Sequence, residues 1–345
     1  MRLARYLLLP AALAFLFGGA ETALTCCGPD FVKLPTPVPS GIIRGNQFFA
    51  VTADGKLLAA DVTDHKVKQF PDLAKLGPML DARGDTVCVT AGQKLLLVCV
   101  STGKVCRELQ IDGVIRSFGF AGDNHLFVHR GKALDLIDLK TGRATAVIES
   151  GKYGSYGRYG QYGQYGQVAA VERLAPGAIA DPSGKQIYAL VSGERTGLAV
   201  VDVATAKVTA IHPINADTVF RRSHLQVAGC KVFYVNSVEE YGEWQRDQLG
   251  CVDLKTGKHE SLKLPGGMET RGTISAGPGD SIFLTTKICG ATGNATFRYD
   301  ADGKLVGQVR LLGPGTLAGF WGGDAVTLAK DRVFIDVPVI PVPSK

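Results

Sequence analysis

Two nearly identical phrases, Asp138-Leu139-Lys140-Thr141-Gly142-Arg143 and Asp253-Leu254-Lys255-Thr256-Gly257-Lys258, decide the fold of this chain. Looser versions occur at Asp202–Lys207 and Val100–Lys104. Each phrase follows a short apolar run and precedes another, which predicts a strand, a tight turn with glycine at positive φ, and a second strand. Because such a unit does not bury its own faces, its recurrence predicts stacked or radial repeats.

Seven hairpins of this kind follow one another, and their starts are spaced by roughly 40 to 50 residues, the period of a propeller blade. They are Phe48–Asp61, Thr86–Val100, His125–Leu139, Gln186–Val203, Lys231–Leu254, Ser281–Tyr299 and Ala325–Asp336. We therefore predict an all-β fold, a single β-propeller over residues 45–337 with seven four-stranded blades. Long loops at 239–247 and 290–294 leave six or eight blades as alternatives.

The last hairpin is one strand short of a blade, and only the Pro-rich tail 338–345 follows it. A strand from the other terminus completes the last blade in many propellers. Within the N-terminal segment 21–44, either Phe31–Leu34 or Gly41–Arg44 has the apolar pattern for this closing strand.

The first twenty residues have the layout of a secretory signal peptide. A basic start is followed by the apolar stretch Tyr6–Phe17 and by small residues up to Ala20, where we expect cleavage. The prediction is an exported protein, periplasmic or extracellular. A retained anchor and lipidation at Cys26 are the alternatives, and no later apolar run is long enough to span a membrane.

The segment Asp181-Pro182-Ser183-Gly184-Lys185-Gln186-Ile187-Tyr188-Ala189-Leu190, followed by Leu198–Val203, resembles the YVTN and quinoprotein-like propeller repeats, which are WD-repeat-like in architecture. Serine replaces the usual aspartate in the first turn, and the second turn lacks its glycine. The resemblance implies the propeller fold and leaves the activity open, because this fold carries many functions.

Relatives implied by that resemblance include lactone hydrolases and quinone-dependent oxidoreductases. A lactonase-like site assembled from inter-blade loops would draw on polar residues at the channel: Glu172, Arg173, Arg222, His224 and Arg271. A quinone enzyme would need a tryptophan in each blade, and the chain has only Trp244 and Trp321. Some of these enzymes have a disulfide between adjacent cysteines beside the cofactor, but the adjacent pair Cys26-Cys27 of this chain precedes the first blade.

No motif of a catalytic nucleophile, phosphate loop or metal site occurs in the sequence. His125 and His129 share a strand face but stand about 13 Å apart, too far for one metal ion. We therefore assign no catalytic residue, no cofactor and no metal, and predict a non-catalytic binding or scaffolding module. The propeller enzyme is the alternative.

Eight cysteines in an exported chain suggest disulfides. Cys230 and Cys251 lie on adjacent predicted strands and form the first candidate pair. Cys88, Cys99 and Cys106 lie on three successive strands, so either Cys88–Cys99 or Cys99–Cys106 could form. The alternative is that several are small buried hydrophobic residues.

An insertion at 151–167 carries tyrosine at every third position and is otherwise rich in glycine and glutamine. Its tyrosines form the candidate interaction element: Tyr153, Tyr156, Tyr159, Tyr162 and Tyr165. A disordered loop is the alternative.

The partner class we expect is a protein or a polysaccharide. The net charge of +6 is dispersed, with no basic run longer than two residues, which disfavours specific nucleic-acid binding.

Overall fold

Seven β-sheets surround a central channel in the computed structural model of this protein. The structure describes residues 30–71, 73, 75–150, 169–171, 173–192, 196–214, 222–238, 246–264, 272–287, 294–311, 315–337 and 339–342. The predicted seven-bladed propeller is confirmed, and all seven hairpins lie at the centres of blades. The residues of the predicted signal peptide and the five tyrosines of the insertion lie outside the described residues.

Strands are numbered in chain order, and each blade has an inner, a second, a third and a fourth strand. The inner strands are β2 (Gly41–Arg44), β6 (Leu80–Arg83), β10 (Ile115–Ala121), β15 (Arg173–Ala180), β19 (Arg222–Ala228), β23 (Thr273–Ala276) and β27 (Thr316–Trp321). The second strands are β3 (Gln47–Val51), β7 (Thr86–Ala91), β11 (His125–Arg130), β16 (Gln186–Ser192), β20 (Lys231–Val238), β24 (Ile282–Lys287) and β28 (Asp324–Ala329). A 3-10 turn, Pro278–Asp280, links β23 to β24.

The third and fourth strands form the outer half of each blade. The third strands are β4 (Leu57–Asp61), β8 (Lys94–Cys99), β12 (Ala133–Asp138), β17 (Thr196–Asp202), β21 (Arg246–Asp253), β25 (Asn294–Tyr299) and β29 (Arg332–Val337). The fourth strands are β5 (Val67–Phe70), β9 (Val105–Gln110), β13 (Ala144–Ser150), β18 (Lys207–Pro213), β22 (His259–Ser261), β26 (Leu305–Leu311) and, in blade 7, β1 (Phe31–Lys33).

Both ends of the described chain complete outer edges. Strand β1 pairs with β29, so Phe31–Lys33 supplies the missing strand of blade 7, and Val32 is 1% exposed. Gly41–Arg44, the other segment considered for closure, is instead the inner strand of blade 1. Strand β30 (Val339–Pro341), within the tail, adds a fifth strand to blade 6 beside β26. Strand β14 (Ala169–Val171) adds a fifth strand to blade 3.

The core lies between the blades. Phe127, Leu134 and Leu136 of blade 3 pack against Ile187 and Ala189 of blade 4, and similar clusters fill the other interfaces. Second and third strands are buried on both faces, which is why they are almost continuously apolar.

The recurrent Asp-x-x-Thr-Gly turns join third to fourth strands. Asp138 Oδ1 accepts hydrogen bonds from the backbone N–H of Lys140 (2.7 Å) and Thr141 (2.9 Å). The Asp253 turn repeats this arrangement with Lys255 and Thr256. These backbone hydrogen bonds lower the pKa of Asp138 and of Asp253, so the turns are held by ionised carboxylates.

The expected disulfides are not formed, and all five cysteines in the described ranges are free thiols. Cys230 lies in the turn before β20, whereas Cys251 is the register partner of Phe233. These two cysteines are therefore not opposed across the hairpin.

The blade 2 cysteines are also out of register. Cys88 is opposite Leu97, and Cys99 is opposite Thr86. Cys88 and Cys99 are thus diagonal neighbours, roughly 7–8 Å apart and beyond ordinary disulfide reach. A bulge between Leu97 and Val98 shifts β9, so that Cys106 Sγ lies 3.2 Å from Leu97 O instead of facing Cys99.

His129 is a buried polar residue at the interface of blades 3 and 4. It is 1% exposed, and neither ring nitrogen has a hydrogen-bond partner among the described residues. The hydroxyl of Ser117, its register partner on β10, is also buried and has no hydrogen-bond partner among the described residues. Burial, with a smaller contribution from Arg116, lowers the pKa of His129 from 6.5 to about 4.

We expect acid to destabilise the protein through His129. The unfolded chain takes up a proton near pH 6.5, while the folded imidazole stays neutral until about pH 4. The contribution of neutral His129 to the free energy of unfolding is therefore fully present above pH 6.5. It decreases by about 3 kcal/mol as the pH falls towards 4. Urea denaturation across this range should show the full slope in the wild type and in His125→Leu. His129→Leu should show a shallower slope, because burial also lowers the pKa of His259. Parallel curves for the wild type and His129→Leu would contradict this expectation.

The turns of blades 3 and 4 touch at Gly184, and this contact is also testable. Gly184 has φ +72°, and a Cβ there would lie 2.0 Å from the Gly122 nitrogen. Gly131 has φ +51° but open space around it. We expect Gly131→Ala to lose about 1 kcal/mol through backbone strain alone. Gly184→Ala should lose on the order of 3 kcal/mol, because overpacking adds to the strain. Equal losses in urea denaturation would show that the close approach does not matter.

Candidate functional site

The ends of five inner strands form a cavity at one mouth of the channel. The short turns from inner to second strands surround this opening, and we call it the turn-face mouth. Its volume is 780 Å³. The strands that reach it with their C-terminal residues are β2, β6, β10, β15 and β19, through Arg44, Arg83, Phe120, Ala180 and Val227.

Asp81 links three consecutive blades at this mouth. Its Oδ1 accepts a hydrogen bond from Arg44 Nη2 of blade 1 at 3.0 Å, and its Oδ2 accepts one from the Phe120 N–H of blade 3 at 3.0 Å. Gly119 permits this approach, because a Cβ there would lie 3.1 Å from Asp81 Oδ2 and 2.8 Å from the Phe127 ring. Both carboxylate oxygens are thus used in positioning neighbouring blades.

The other charged groups of the turn-face mouth are also paired. Arg83 Nε donates to Asp123 Oδ1 at 2.6 Å. Asp181 accepts hydrogen bonds from the Ser183 hydroxyl and from the Gln186 N–H, the latter at 2.8 Å. About half of the Arg44 side chain is exposed, so its guanidinium remains open to a ligand.

The lining of the turn-face mouth combines polar and apolar side chains. Its polar side chains, as far as the structure describes them, are arginine, aspartate, asparagine and glutamine, and its apolar surface includes Phe118, Phe120 and Phe127. Both Asp81 and Asp181 are tied into hydrogen bonds. Such a surface offers donors, acceptors and apolar contact to a ligand.

Three of the five polar residues considered for a lactonase-like site lie in described strands, towards the opposite end of the channel. Arg173 and Arg222 begin the neighbouring inner strands β15 and β19, and His224 is an exposed residue of β19. Glu172 and Arg271 lie outside the described residues. The structure therefore brings the starts of two predicted strands together but describes neither arginine side chain.

Sequence reasoning missed the turn-face mouth. Arg44, Asp81 and Asp181 are separated by 37 residues or more; Arg44 and Asp81 lie in no motif, and Asp181 belongs to one that indicates only the propeller hairpin. A signal did exist in the repeat itself, because all three residues lie near the end of an inner strand: Arg44 ends β2, Asp181 directly follows β15, and Asp81 precedes the end of β6 by two residues.

No group of three or more potential metal ligands lies together in the described ranges, which include His125 and His129. Within the same ranges, no helix has the length and apolar character to cross a membrane.

The chain is similar in structure to several solved propellers. No protein-family model matches its sequence, and no curated protein matches it either. The β-propeller domain of Cps50 (Swd1) from Myceliophteria thermophila aligns with a TM-score of 0.61 at 12% identity, covering 91% of this chain and 99% of that one.

Two further structures extend the comparison. Hydrazine synthase from Kuenenia stuttgartiensis aligns with a TM-score of 0.59 at 14% identity, covering 95% of this chain and all of the other (100%). A chain of the mitotic checkpoint complex aligns at 0.60 and 8% identity, covering 92% and 94%. At identities this low, the structural similarity shows only that the chain has the propeller fold, because this fold carries many functions.

Proposed function

We propose that this protein is an exported, non-catalytic binding module that holds a protein partner at the turn-face mouth. The observation that carries the proposal is the pairing of charges there. Asp81 accepts hydrogen bonds from the Arg44 side chain and the Phe120 N–H, and Arg83 donates one to Asp123. Groups held in this way keep a rigid surface, and rigidity reduces the entropy lost when a partner binds.

The size and chemistry of the cavity support a polypeptide partner. A volume of 780 Å³ lies in the usual range of ligand pockets and accommodates a short loop or terminal segment. The exposed Arg44 offers hydrogen-bond donors, and the half-buried Phe118 offers apolar surface. One structurally similar chain belongs to a complex, the mitotic checkpoint complex, which is in line with a scaffolding role.

The proposal includes export and a place among the YVTN or quinoprotein-like propellers. Export rests on the basic start, apolar stretch and small residues of 1–20. The family rests on the hairpin from Asp181 to Leu190, in which Asp181 accepts the Gln186 N–H and thereby fixes the turn. For the alternative, a propeller hydrolase or oxidoreductase, we find no described geometry that favours it.

Arg83→Ala and Arg116→Ala form a matched pair for testing the turn-face mouth. Both are arginines of neighbouring inner strands, but Arg116 lies near the start of β10, towards the opposite end of the channel. We expect Arg83→Ala to weaken partner binding about tenfold, through loss of a charged hydrogen bond, and Arg116→Ala to leave it unchanged. The measurement is quantitative crosslinking in the native host, with hydrogen exchange to map protection at the amides of 44–46 and of Asp181.

Two results would count against that site: protection at the opposite end of the channel, or equal partner recovery from both variants.

The intact mass of the protein from its host's envelope fraction tests export and the absence of a cofactor together. We expect a chain that begins at Glu21 and carries no adduct. A retained N-terminus would overturn the cleavage proposal. A retained organic or metal adduct would favour the enzyme alternative, and a diacylglycerol-sized increment would indicate lipidation.

A further inference from the structure

The outer edge of blade 2 is open in the described part of the chain. Strand β9 pairs with β8 on one side, and no described strand pairs with its other side. The chain itself covers the corresponding edge of blade 3 with β14 and that of blade 6 with β30. Addition of a fifth strand is therefore compatible with the geometry of these blades.

A groove runs along this open edge, between blades 2 and 3. Its volume is 490 Å³. One wall consists of consecutive residues, Arg107 to Asp112, and the other comes from blade 3 through Arg130, Asp135 and the turn at Thr141. Leu109, Ile111 and Ile137 make part of the lining apolar. A groove that runs along six consecutive residues of a strand can accommodate a peptide in an extended conformation.

The backbone of β9 is oriented for strand pairing. The Ile111 N–H donates to Gln93 O at 2.9 Å, towards β8. Because backbone groups alternate in direction along an antiparallel strand, those of Glu108 and Gln110 point away from β8. Two donors and two acceptors therefore face outward along the groove.

Asp135 gives the groove a charge preference. This residue is 4% exposed, and one carboxylate oxygen accepts a hydrogen bond from Arg130 Nε. The other oxygen, Oδ1, is buried without a partner among the described residues. Asp112 adds an exposed carboxylate, whereas the Glu108 carboxylate is paired with Lys94 Nζ at 2.5 Å. Arg107 and Arg130 already donate to Lys140 O (3.1 Å) and Asp112 O (3.3 Å). A buried acceptor of this kind is stabilised by a charged donor.

We propose that an extended segment of a protein partner binds here as a fifth strand of blade 2, with a basic side chain directed to Asp135. The backbone of Glu108 and Gln110 supplies the pairing, and the carboxylates of Asp135 and Asp112 select the positive charge. This surface is distinct from the turn-face mouth, and its test does not depend on the partner proposed there.

The test uses a defined probe, the peptide acetyl-Thr-Val-Thr-Arg-Thr-Val-Thr-amide, and the full chain labelled with ¹⁵N. We expect peptide addition to shift the amide signals of Glu108 and Gln110. Replacing the peptide arginine by glutamine should weaken binding at least about tenfold. Methylation of alternate backbone nitrogens of the peptide should abolish binding, because it removes the pairing donors.

Two pairs of protein variants locate the site. Glu108→Pro removes an outward N–H from β9, and Gln69→Pro removes the equivalent outward N–H from β5 of blade 1. We expect only Glu108→Pro to abolish binding. Asp135→Asn should remove the preference for arginine over glutamine. Asp135 is buried, so its substitution could also affect folding. Asp112 is exposed, and Asp112→Asn should reduce the preference for arginine without altering thermal stability.

Several outcomes would overturn the proposal. They are unshifted Glu108 and Gln110 amides at millimolar peptide, equal affinity for the arginine and glutamine peptides, or unchanged binding after backbone methylation. Occupation of the groove by neutral oligosaccharides in place of the peptide would replace it with a carbohydrate site.

Discussion

The propeller depends on one joint, in which the turn between the third and fourth strands of a blade docks on the fourth strand of the preceding blade. Arg107 of blade 2 donates to Lys140 O in the blade 3 turn, and Lys68 of blade 1 donates to Val100 O and Ser101 O in the blade 2 turn. At Gly257 a Cβ would lie 2.5 Å from His212 Nδ1 of blade 4. Glycine therefore serves both the turn and the close approach of two blades.

The joint persists where its sequence changes. Blade 2 has Cys99 at the aspartate position, and Asp85 from the turn before β7 replaces that carboxylate, accepting the Ser101 N–H at 2.9 Å and the Ser101 hydroxyl at 2.6 Å. In blade 1 the positive-φ position is His65, whose Nε2 lies 3.2 Å from Asp30 Oδ2 beside the closing strand. The geometry is thus maintained by different residues, which explains why the repeats look imperfect.

These substitutions also show what a sequence can reveal. The seven hairpins were predictable because each is specified locally, by an apolar run and its turn. Cysteine pairing was not, because bulges such as that at Leu97 and Val98 shift the register without changing the pattern. Strand β30 is only three residues long and pairs across blades, so it leaves no periodic signal. The turn-face mouth unites Arg44, Asp81 and Phe120, whose proximity arises only when the ring closes.

The same packing restricts where function can reside. Both faces of nearly every second and third strand are used in contacts between blades, as the alternating clusters show. What remains exposed is the two ends of the channel and the outer edges of the fourth strands. Since the chain covers two of those edges itself, an edge left open beside a charged groove is a surface that the fold does not need for its own stability. Because the ring is built from one repeated joint, residues at the channel mouths and at the unpaired outer edges can change without loss of the fold.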